Sequence, residues 1–154
     1  MISKTFREVG LLFDGDLQLR IRELFPGDTS RAWVPAYRFD MVVAQEVVGA
    51  IELRLGAAPE MVQYGGQIAY GVAERHQGQR YAARSVRLLL PLACSHGFGE
   101  LWITCDPDNW ASRRTCELAG AVLVEVVELP RNSDMYERGE RQKCRYRLSP
   151  CPGR

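Results

Sequence analysis

A basic loop at residues 75–80 is the segment of this chain whose residue types and spacing best suit chemistry. It reads RHQGQR, a predicted helix begins just after it, and no acidic residue occurs from Arg75 through Gly99. Free N–H groups at a helix start carry partial positive charge, and a glycine lets an anion approach the main chain. The loop therefore predicts a diphosphate site, with guanidinium groups from Arg75, Arg80, Arg84 and Arg87.

The same charge pattern has a second interpretation. The arginines could form a solvated helix face, with Gly78 an ordinary loop glycine. Neither G-x-G-x-x-G nor G-x-x-x-x-G-K-[ST] occurs at this loop, which disfavours a dinucleotide site and a P-loop. With a formal net charge of +1, the chain also lacks the overall positive charge of nucleic-acid-binding proteins. Any anion site must therefore be local.

Hydrophobic periodicity defines the elements that must position this loop. Alternation of apolar and polar residues predicts strands, and apolar residues at helical spacing predict two helices. The predicted strands are 17–22, two hairpin arms within 35–55 that flank Gln45-Glu46, 65–73, 101–105, 121–129 and 143–148, with loops at 56–64 and 130–142. The predicted helices are 81–96 and 111–119. The expected fold class is α/β, with helices flanking a mixed, mostly antiparallel sheet of six or seven strands.

Length and composition indicate one ordinary globular domain. The 154 residues are 46% hydrophobic and 25% charged, so we expect a single domain over 1–154 with its core at about 17–148. Five cysteines without a C-x-x-C pair argue against a disulfide framework and against a zinc site, so no metal is expected. The chain shows no membrane-length apolar stretch, and Met1 to Gly10 shows no signal peptide. A cytoplasmic location is the expectation.

Two motifs in this order resemble those of the GNAT superfamily of acyl-CoA N-acyltransferases. Residues 72–82 (VAERHQGQRYA) resemble its R/Q-x-x-G-x-G/A pyrophosphate loop. Residues 109–120 resemble its N-x-x-[SA]-x-x-x-[YC]-E-x-x-G segment. The blocks YGGQIAYGV, ITCDPDN and ASRRTCELAGA also resemble a bacterial branch of predicted acetyltransferases. The resemblance covers roughly 17–148 and implies a single GNAT-like domain with acetyl-CoA as co-substrate.

The resemblance also implies which residues hold acetyl-CoA. Backbone groups of Val72 and Ala73 would pair with the pantetheine arm, and Asn109 and Ser112 would lie beside the thiol end. The pyrophosphate would be held by Arg75 and the loop residues Gln77, Gly78, Gln79, Arg80, Tyr81 and Ala82.

Two positions depart from the family pattern. The last small residue of the loop motif is Arg80 here, so either its backbone is ordinarily helical or the grip on the diphosphate differs. The position that often holds a catalytic tyrosine is Cys116. Cys116 could serve as general acid, but a thiol leaves readily without one, and the alternative is a small buried thiol on the inner face of a helix.

Attack of an amine on a thioester needs a neutral amine and a polarised carbonyl, and three side chains are candidates to assist. Glu52, a carboxylate in a central strand, could act as base, and its alternative is a pair with Arg54 or exposure at a strand end. Tyr70 supplies a hydroxyl on the fourth strand, and Cys116 is the candidate acid. Cys105 is expected to pack in the core, and His76 to neighbour the phosphates or lie exposed.

The predicted function is transfer of acetyl from acetyl-CoA to a primary amine by direct attack in a ternary complex. The alternative is a catalytically degenerate acyl-CoA-binding module, suggested by Arg80 and by Cys116 in place of tyrosine. The aromatic residues Phe25, Trp33 and Tyr37 either line an acceptor pocket or close the core beneath it. The expected partners are acetyl-CoA and an amine acceptor, with no nucleic acid and no membrane, and a homodimer is allowed.

Overall fold

Eight strands and three α-helices occur in the computed structural model, which describes residues 1–152. The strands are β1 (Leu12–Asp14), β2 (Leu17–Phe25), β3 (Ala36–Val43), β4 (Glu46–Arg54), β5 (Ile68–Val72), β6 (Leu101–Cys105), β7 (Val122–Glu128) and β8 (Gln142–Leu148). The helices are α1 (Tyr81–Ser95), α2 (Trp110–Ala119) and α3 (Asp134–Glu137). The α/β fold class is confirmed.

The strands form two antiparallel sheets. Strands β1 to β5 pair in chain order, and a second sheet has the order β6-β8-β7. The expected single sheet of six or seven strands is therefore divided, because β5 and β6 contact each other only where they begin. There the Gln67 N–H donates to the Trp102 carbonyl at 2.8 Å, and the Trp102 N–H donates to Gln67 Oε1 at 2.7 Å. No further pairing joins β5 to β6 within residues 1–152.

Gly66 makes this contact between the two sheets sterically feasible. Its φ is +75°, and a side-chain Cβ there would lie 3.0 Å from the Trp102 carbonyl oxygen and 3.2 Å from the Thr104 nitrogen. Only glycine combines that backbone conformation with so close an approach. The main chain can therefore pass against β6 and turn directly into β5.

The core lies between α1 and one face of the five-stranded sheet. Alternate residues of β3 and β4 point to this face and are at most 2% exposed, namely Tyr37, Phe39, Met41, Ile51 and Leu53. The α1 residues Val86, Leu89 and Ala93 are fully buried in the same cluster. Burial stabilises each large apolar side chain by about 1.5–3 kcal/mol. The opposite face of β3 and β4 carries charged side chains.

Some features were not predicted from the sequence. Strand β1 has three residues, too few to show a period. The predicted loops contain a single π-helical turn at Met61–Gly65 and the helix α3. The expectation of no disulfide is wrong for one pair, because Cys94 at the end of α1 is bonded to Cys151. These residues are 57 positions apart, so no local spacing indicates the pair.

Within residues 1–152, no helix is both long and apolar enough to cross a membrane.

Candidate active site

A cleft of about 190 Å³ opens between β5 and β6, where the two strands stop pairing. It reaches across the sheet, since its wall includes strand residues, the start of α2 and one side chain from β8. The lining residues are Gly65, Ile68, Ala69, Tyr70, Ile103, Thr104, Cys105, Asp106, Asn109, Ser112 and Lys143. Three of the predicted site residues, Tyr70, Asn109 and Ser112, are thus brought together here.

Helix α2 is fixed at this cleft by its own N-terminal cap. Asn109 Oδ1 accepts a hydrogen bond of 3.1 Å from the Ser112 N–H, which satisfies one of the free donors at the helix start. Gly120 ends the helix in the left-handed conformation, with φ of +97°. The cap therefore holds the side chain of Ser112 at the cleft.

Tyr70 connects β5 to α2 within the cleft. Its hydroxyl lies 2.9 Å from Ser112 Oγ, donates to the Ser112 carbonyl at 3.2 Å, and lies 3.5 Å from Cys116 Sγ. Burial raises the pKa of the Tyr70 hydroxyl, and the neighbouring Cys116 raises it further. Tyr70 is therefore a neutral phenol, and it can donate to a group in the cleft when its O–H turns away from the Ser112 carbonyl.

Cys116 lies behind the cleft wall and is fully buried. Its pKa is raised by a hydrogen bond with Cys105 and by burial, so the thiol stays protonated. The hydroxyl of Tyr70 lies between Cys116 and the cleft. It is therefore close to position 116, at which the family pattern often has a tyrosine.

Cys105 packs in the hydrophobic core, as the sequence predicted, and it also lines the cleft. It is 5% exposed and ends β6. The neighbouring Cys116 lowers the pKa of the Cys105 thiol against the opposing effect of burial, and Ser112 and the positive charges of Arg113 and Lys143 lower it further. The only sequence signal was its place at a strand end just before the second family motif.

Glu52 does not line the cleft. Its carboxylate accepts hydrogen bonds from Arg38 Nε at 3.1 Å and from Arg54 Nε at 2.7 Å, on the charged face of the sheet. The pairing with Arg54 that was the alternative interpretation is therefore present. Two guanidinium groups therefore hold the Glu52 carboxylate on this face of the sheet.

The predicted phosphate loop joins the end of β5 to the start of α1. It begins with a 3-10 turn at Glu74–His76 and continues through Gly78, whose φ is +91°. A Cβ atom placed at Gly78 would have no other atom within 4 Å. Arg80 adopts the left-handed conformation, with φ of +62°. Its backbone is thus not ordinarily helical, but has the shape that a glycine at this motif position would favour.

No side chain caps the N-terminus of α1. The N–H groups of its first turn have no acceptor within the helix and point toward the loop. The side chain of Gln77 braces the loop by donating to the Val72 carbonyl at 3.2 Å. An open depression of about 570 Å³ adjoins the loop at Ala73, Glu74 and Arg75. The loop can therefore receive an anion through backbone donors.

The loop arginines differ in how free their charge is. The side chain of Arg84, in α1, is held away from the loop by two ion pairs, Nε to Asp14 Oδ2 at 2.7 Å and Nη2 to Asp16 Oδ1 at 2.8 Å. These pairs raise the pKa of Arg84 and lower that of Asp16. Arg75 pairs with Glu46, while the side chain of Arg80 is exposed. In this structure the Arg84 guanidinium is therefore bound to the turn between β1 and β2, and its role toward the diphosphate stays a prediction.

Val72 and Ala73 differ in their backbone groups. The Ala73 N–H donates to the Val48 carbonyl at 2.9 Å, and the Ala73 carbonyl accepts from the His76 N–H at 2.8 Å. Val72 and Gly49 form a non-hydrogen-bonded pair of the antiparallel ladder. The N–H and C=O of Val72 therefore point away from β4. Its N–H therefore faces the cleft side of β5, whereas both groups of Ala73 are already bonded.

Comparison with solved structures identifies the fold. RimL, a ribosomal L7/L12 alpha-N-protein acetyltransferase, matches with a TM-score of 0.65 and 17% identity over 91% of this chain and 98% of its own. The microcin C7 self-immunity acetyltransferase MccE, solved with acetyl-CoA and AMP, matches with a TM-score of 0.58 and 15% identity over 74% of this chain. RimJ from Mycobacterium smegmatis, solved with a CoA disulfide, matches with a TM-score of 0.58 and 18% identity over 74% of this chain.

The chain spans 61% of the MccE chain and 53% of the RimJ chain. None of the curated proteins matches it in sequence. The family model of the acetyltransferase (GNAT) domain matches residues 19–122. This match covers most of β2 to the first residue of β7, more than half of the chain, and includes the loop before α1 and every cleft residue except Lys143. The chain therefore belongs to the GNAT family of acetyltransferase domains.

Proposed function

We propose that this protein is an acetyl-CoA-dependent N-acetyltransferase that acetylates a primary amine by direct attack in a ternary complex. The observation that carries the proposal is the continuity of two features along β5. The cleft opens on the free edge of this strand, and the loop 73–80 leads from its end to the start of α1, which no side chain caps. A ligand with an anionic end and an extended reactive arm suits this arrangement.

Acetyl-CoA is such a ligand, and the residues present suit it. The pyrophosphate would accept hydrogen bonds from backbone N–H groups of residues 78–82, where the space beside Gly78 admits phosphate oxygens. The pantetheine arm would pair with the Val72 N–H along β5. Its thioester would then lie in the cleft beside Tyr70 and Ser112. MccE and RimJ, which share the fold, were solved with acetyl-CoA or a form of CoA.

The chemistry needs little from a general acid. A free amine attacks the acetyl carbonyl, the carbon–sulfur bond breaks, and CoA leaves as a thiolate of ordinary acidity. The Tyr70 phenol can donate a hydrogen bond to the sulfur as negative charge develops there. The buried Cys116 contributes packing.

The acceptor side is formed by the short connection between β2 and β3. Within it, Trp33 is 52% exposed with the Arg31 guanidinium over its ring, and Phe25 packs beside it. Tyr37, by contrast, is fully buried and its hydroxyl is bonded to His96 at 2.7 Å, so it belongs to the core. Trp33 and Phe25 are therefore the two aromatic residues that we place at the acceptor entrance.

A thermal-shift and thiol-release screen with acetyl-CoA tests the proposal. Ligand that binds only the native state stabilises it by about 2.7 kcal/mol at a hundredfold excess over its Kd, so the Tm should rise. Thiol release should then require one class within a panel of peptide α-amines, lysine amines and small amines. No shift in Tm at millimolar acetyl-CoA would contradict the proposal. Binding without thiol release over the whole panel would instead support the acyl-CoA-binding module.

A further inference from the structure

The cleft passes through the structure from one sheet face to the other. Ala69 and Tyr70 are consecutive residues of β5, so their side chains point to opposite faces, and both line the cleft. The same is true of Thr104 and Cys105 in β6. The cleft therefore has one mouth beside Tyr70 and α2, where the thioester is proposed to lie, and a second mouth on the opposite face.

The π-helical turn 61–65 marks the face on which the second mouth opens. Arg54, from the charged face of β4, donates to one carbonyl of this turn at 3.1 Å, and Thr104 Oγ1, from β6, donates to another at 2.7 Å. Phe25, which we placed at the acceptor entrance, lies on the charged face as well, because the Arg38 guanidinium is 4.3 Å from the centre of its ring. An acceptor that enters past Phe25 would therefore reach the second mouth.

A chain of alternating charges leads to this mouth. Arg138 Nη2 lies 3.2 Å from Glu140 Oε2, and Glu140 Oε1 lies 2.5 Å from Lys143 Nζ. Lys143 Nζ in turn lies 2.8 Å from Asp106 Oδ1. Burial opposes the charge on Lys143, but the hydrogen bonds with the two carboxylates outweigh it and raise its pKa. Lys143 therefore stays an ammonium group, and the chain of charges ends at Asp106.

Lys143 and Asp106 both line the cleft. Two residues after Lys143 in β8, Arg145 lies directly opposite Thr104 of β6 in the ladder, so the side chains of Lys143 and Thr104 are on the same face. That face carries the second mouth. The ion pair with Lys143 therefore holds the Asp106 carboxylate at the mouth that faces the acceptor.

Asp106 differs from Glu140 in how many cations it binds. Glu140 has one cation at each of its carboxylate oxygens. Asp106 has Lys143 at Oδ1, and within residues 1–152 no hydrogen bond or ion pair involves its Oδ2. The side chain of Asp106 is 40% exposed, so a ligand in the cleft can reach it. Asp106 can therefore bind one further cation.

We propose that Asp106 binds the ammonium group of the acceptor through Oδ2 and thereby selects alkylamines over arylamines, an inference that rests on the proposed function. Alkylamines, including peptide α-amines and lysine side chains, are protonated at neutral pH, whereas arylamines are not. The ammonium group would continue the alternating order of charges that begins at Arg138, with a charge-assisted hydrogen bond to Oδ2. Loss of one proton to water then leaves the neutral amine that attacks the thioester.

Thiol release at saturating acetyl-CoA tests the role of Asp106. The amine panel is extended by aniline, an uncharged arylamine, and the most active alkylamine serves as acceptor. Asp106→Asn should raise the KM for this amine about tenfold, because a hydrogen bond between two charged groups is lost, with little change in kcat or in the KM for acetyl-CoA. The variant should keep the Tm shift of the wild type with acetyl-CoA, which shows that its fold is intact.

Asp108→Asn is the matched control. Asp108 lies in the same turn after β6, is exposed and does not line the cleft. This variant changes the net charge of the chain as Asp106→Asn does. It should keep the wild-type KM for the amine.

A second measurement compares binding in the wild type. The acceptor analogue in which a hydroxyl group replaces the amino group has nearly the same size but no charge. By calorimetry, it should bind the CoA-loaded protein at least tenfold more weakly than the amine does. In Asp106→Asn the two affinities should become similar.

A folded Asp106→Asn protein with the wild-type KM for the amine would overturn the proposal, as would an equal rise in KM in Asp108→Asn. Equal affinity of the wild type for the amine and for its hydroxyl analogue would also contradict it. So would thiol release with aniline but with none of the alkylamines. A wild type without any Tm shift at millimolar acetyl-CoA would instead contradict the proposed function.

Discussion

The hydroxyl of Tyr70 lies 2.9 Å from Oγ of Ser112, and this contact joins β5 of one sheet to the helix that follows β6 of the other. It spans the cleft at the point where no strand pairing connects the two sheets within residues 1–152. The same hydroxyl lies 3.5 Å from Cys116 Sγ. One side chain therefore connects the sheets and places a donor beside the proposed thioester.

Tyr70→Phe should separate these two contributions. Loss of the hydrogen bond to Ser112 should cost about 1 kcal/mol of unfolding free energy. Loss of the donor should lower kcat by about 10²-fold with little change in the KM for acetyl-CoA, because the donor acts on charge that develops in the transition state. Denaturant unfolding and steady-state kinetics measure the two effects. An equal rise in KM would assign Tyr70 to ground-state binding.

Gly78→Asp and Gly78→Asn form a matched pair at the phosphate loop. Both substitutions strain a backbone with φ of +91° to a similar degree, and the space around Gly78 accommodates either side chain. Only the aspartate adds negative charge where a diphosphate would bind. We expect the aspartate variant to bind CoA at least tenfold more weakly than the asparagine variant by calorimetry, with similar Tm values in the absence of ligand. Equal affinities would mean that the diphosphate binds elsewhere.

Cys116→Ala tests the family position that often holds tyrosine. Cys116 is fully buried and its thiol stays protonated, so the substitution should cost about 1 kcal/mol of stability. Turnover at saturating substrate above pH 8 should remain close to that of the wild type. A large loss of kcat at every pH in a folded protein would make Cys116 the general acid.

Glu52→Gln should leave the pH dependence of turnover unchanged. The glutamine can still accept from one arginine but no longer neutralises Arg38 and Arg54, so we expect a lower Tm and an intact pH profile. The measurement is kcat/KM of the wild type and of the variant across the neutral range, in the same buffers. A profile that flattens in the Glu52 variant alone would restore Glu52 as the base.

The bond between Cys94 and Cys151 should contribute measurably to stability. It closes a loop of 57 positions and ties the chain after β8 to the end of α1. Loop closure of this length is worth about 4 kcal/mol in the chain-entropy model. Cys151→Ser should therefore unfold at lower denaturant than the wild type, and a reductant should lower the midpoint of the wild type but not of the variant. A wild type insensitive to reductant would show that the bond is not formed in solution.

The sequence by itself determined the local parts of the site. The loop before α1 was predicted from eleven contiguous residues, since a strand end, a glycine and a helix start together suit the proposed phosphate site. The start and end of α2 at Asn109 and Gly120 were also predicted, because cap chemistry depends on neighbours three or four positions away. Strands longer than four residues were recognised by their period for the same reason.

Only the tertiary structure decided which side chains share the cleft. Cys105 and Tyr70 are 35 positions apart along the chain, and no spacing rule indicates that both face one opening. Glu52 alternates onto a face whose arginines come from two strands, so its pairing depends on the strand register. Arg84 is withdrawn from the loop by the turn between β1 and β2. These assignments depend on contacts between distant segments, which form only once the sheets and helices have packed.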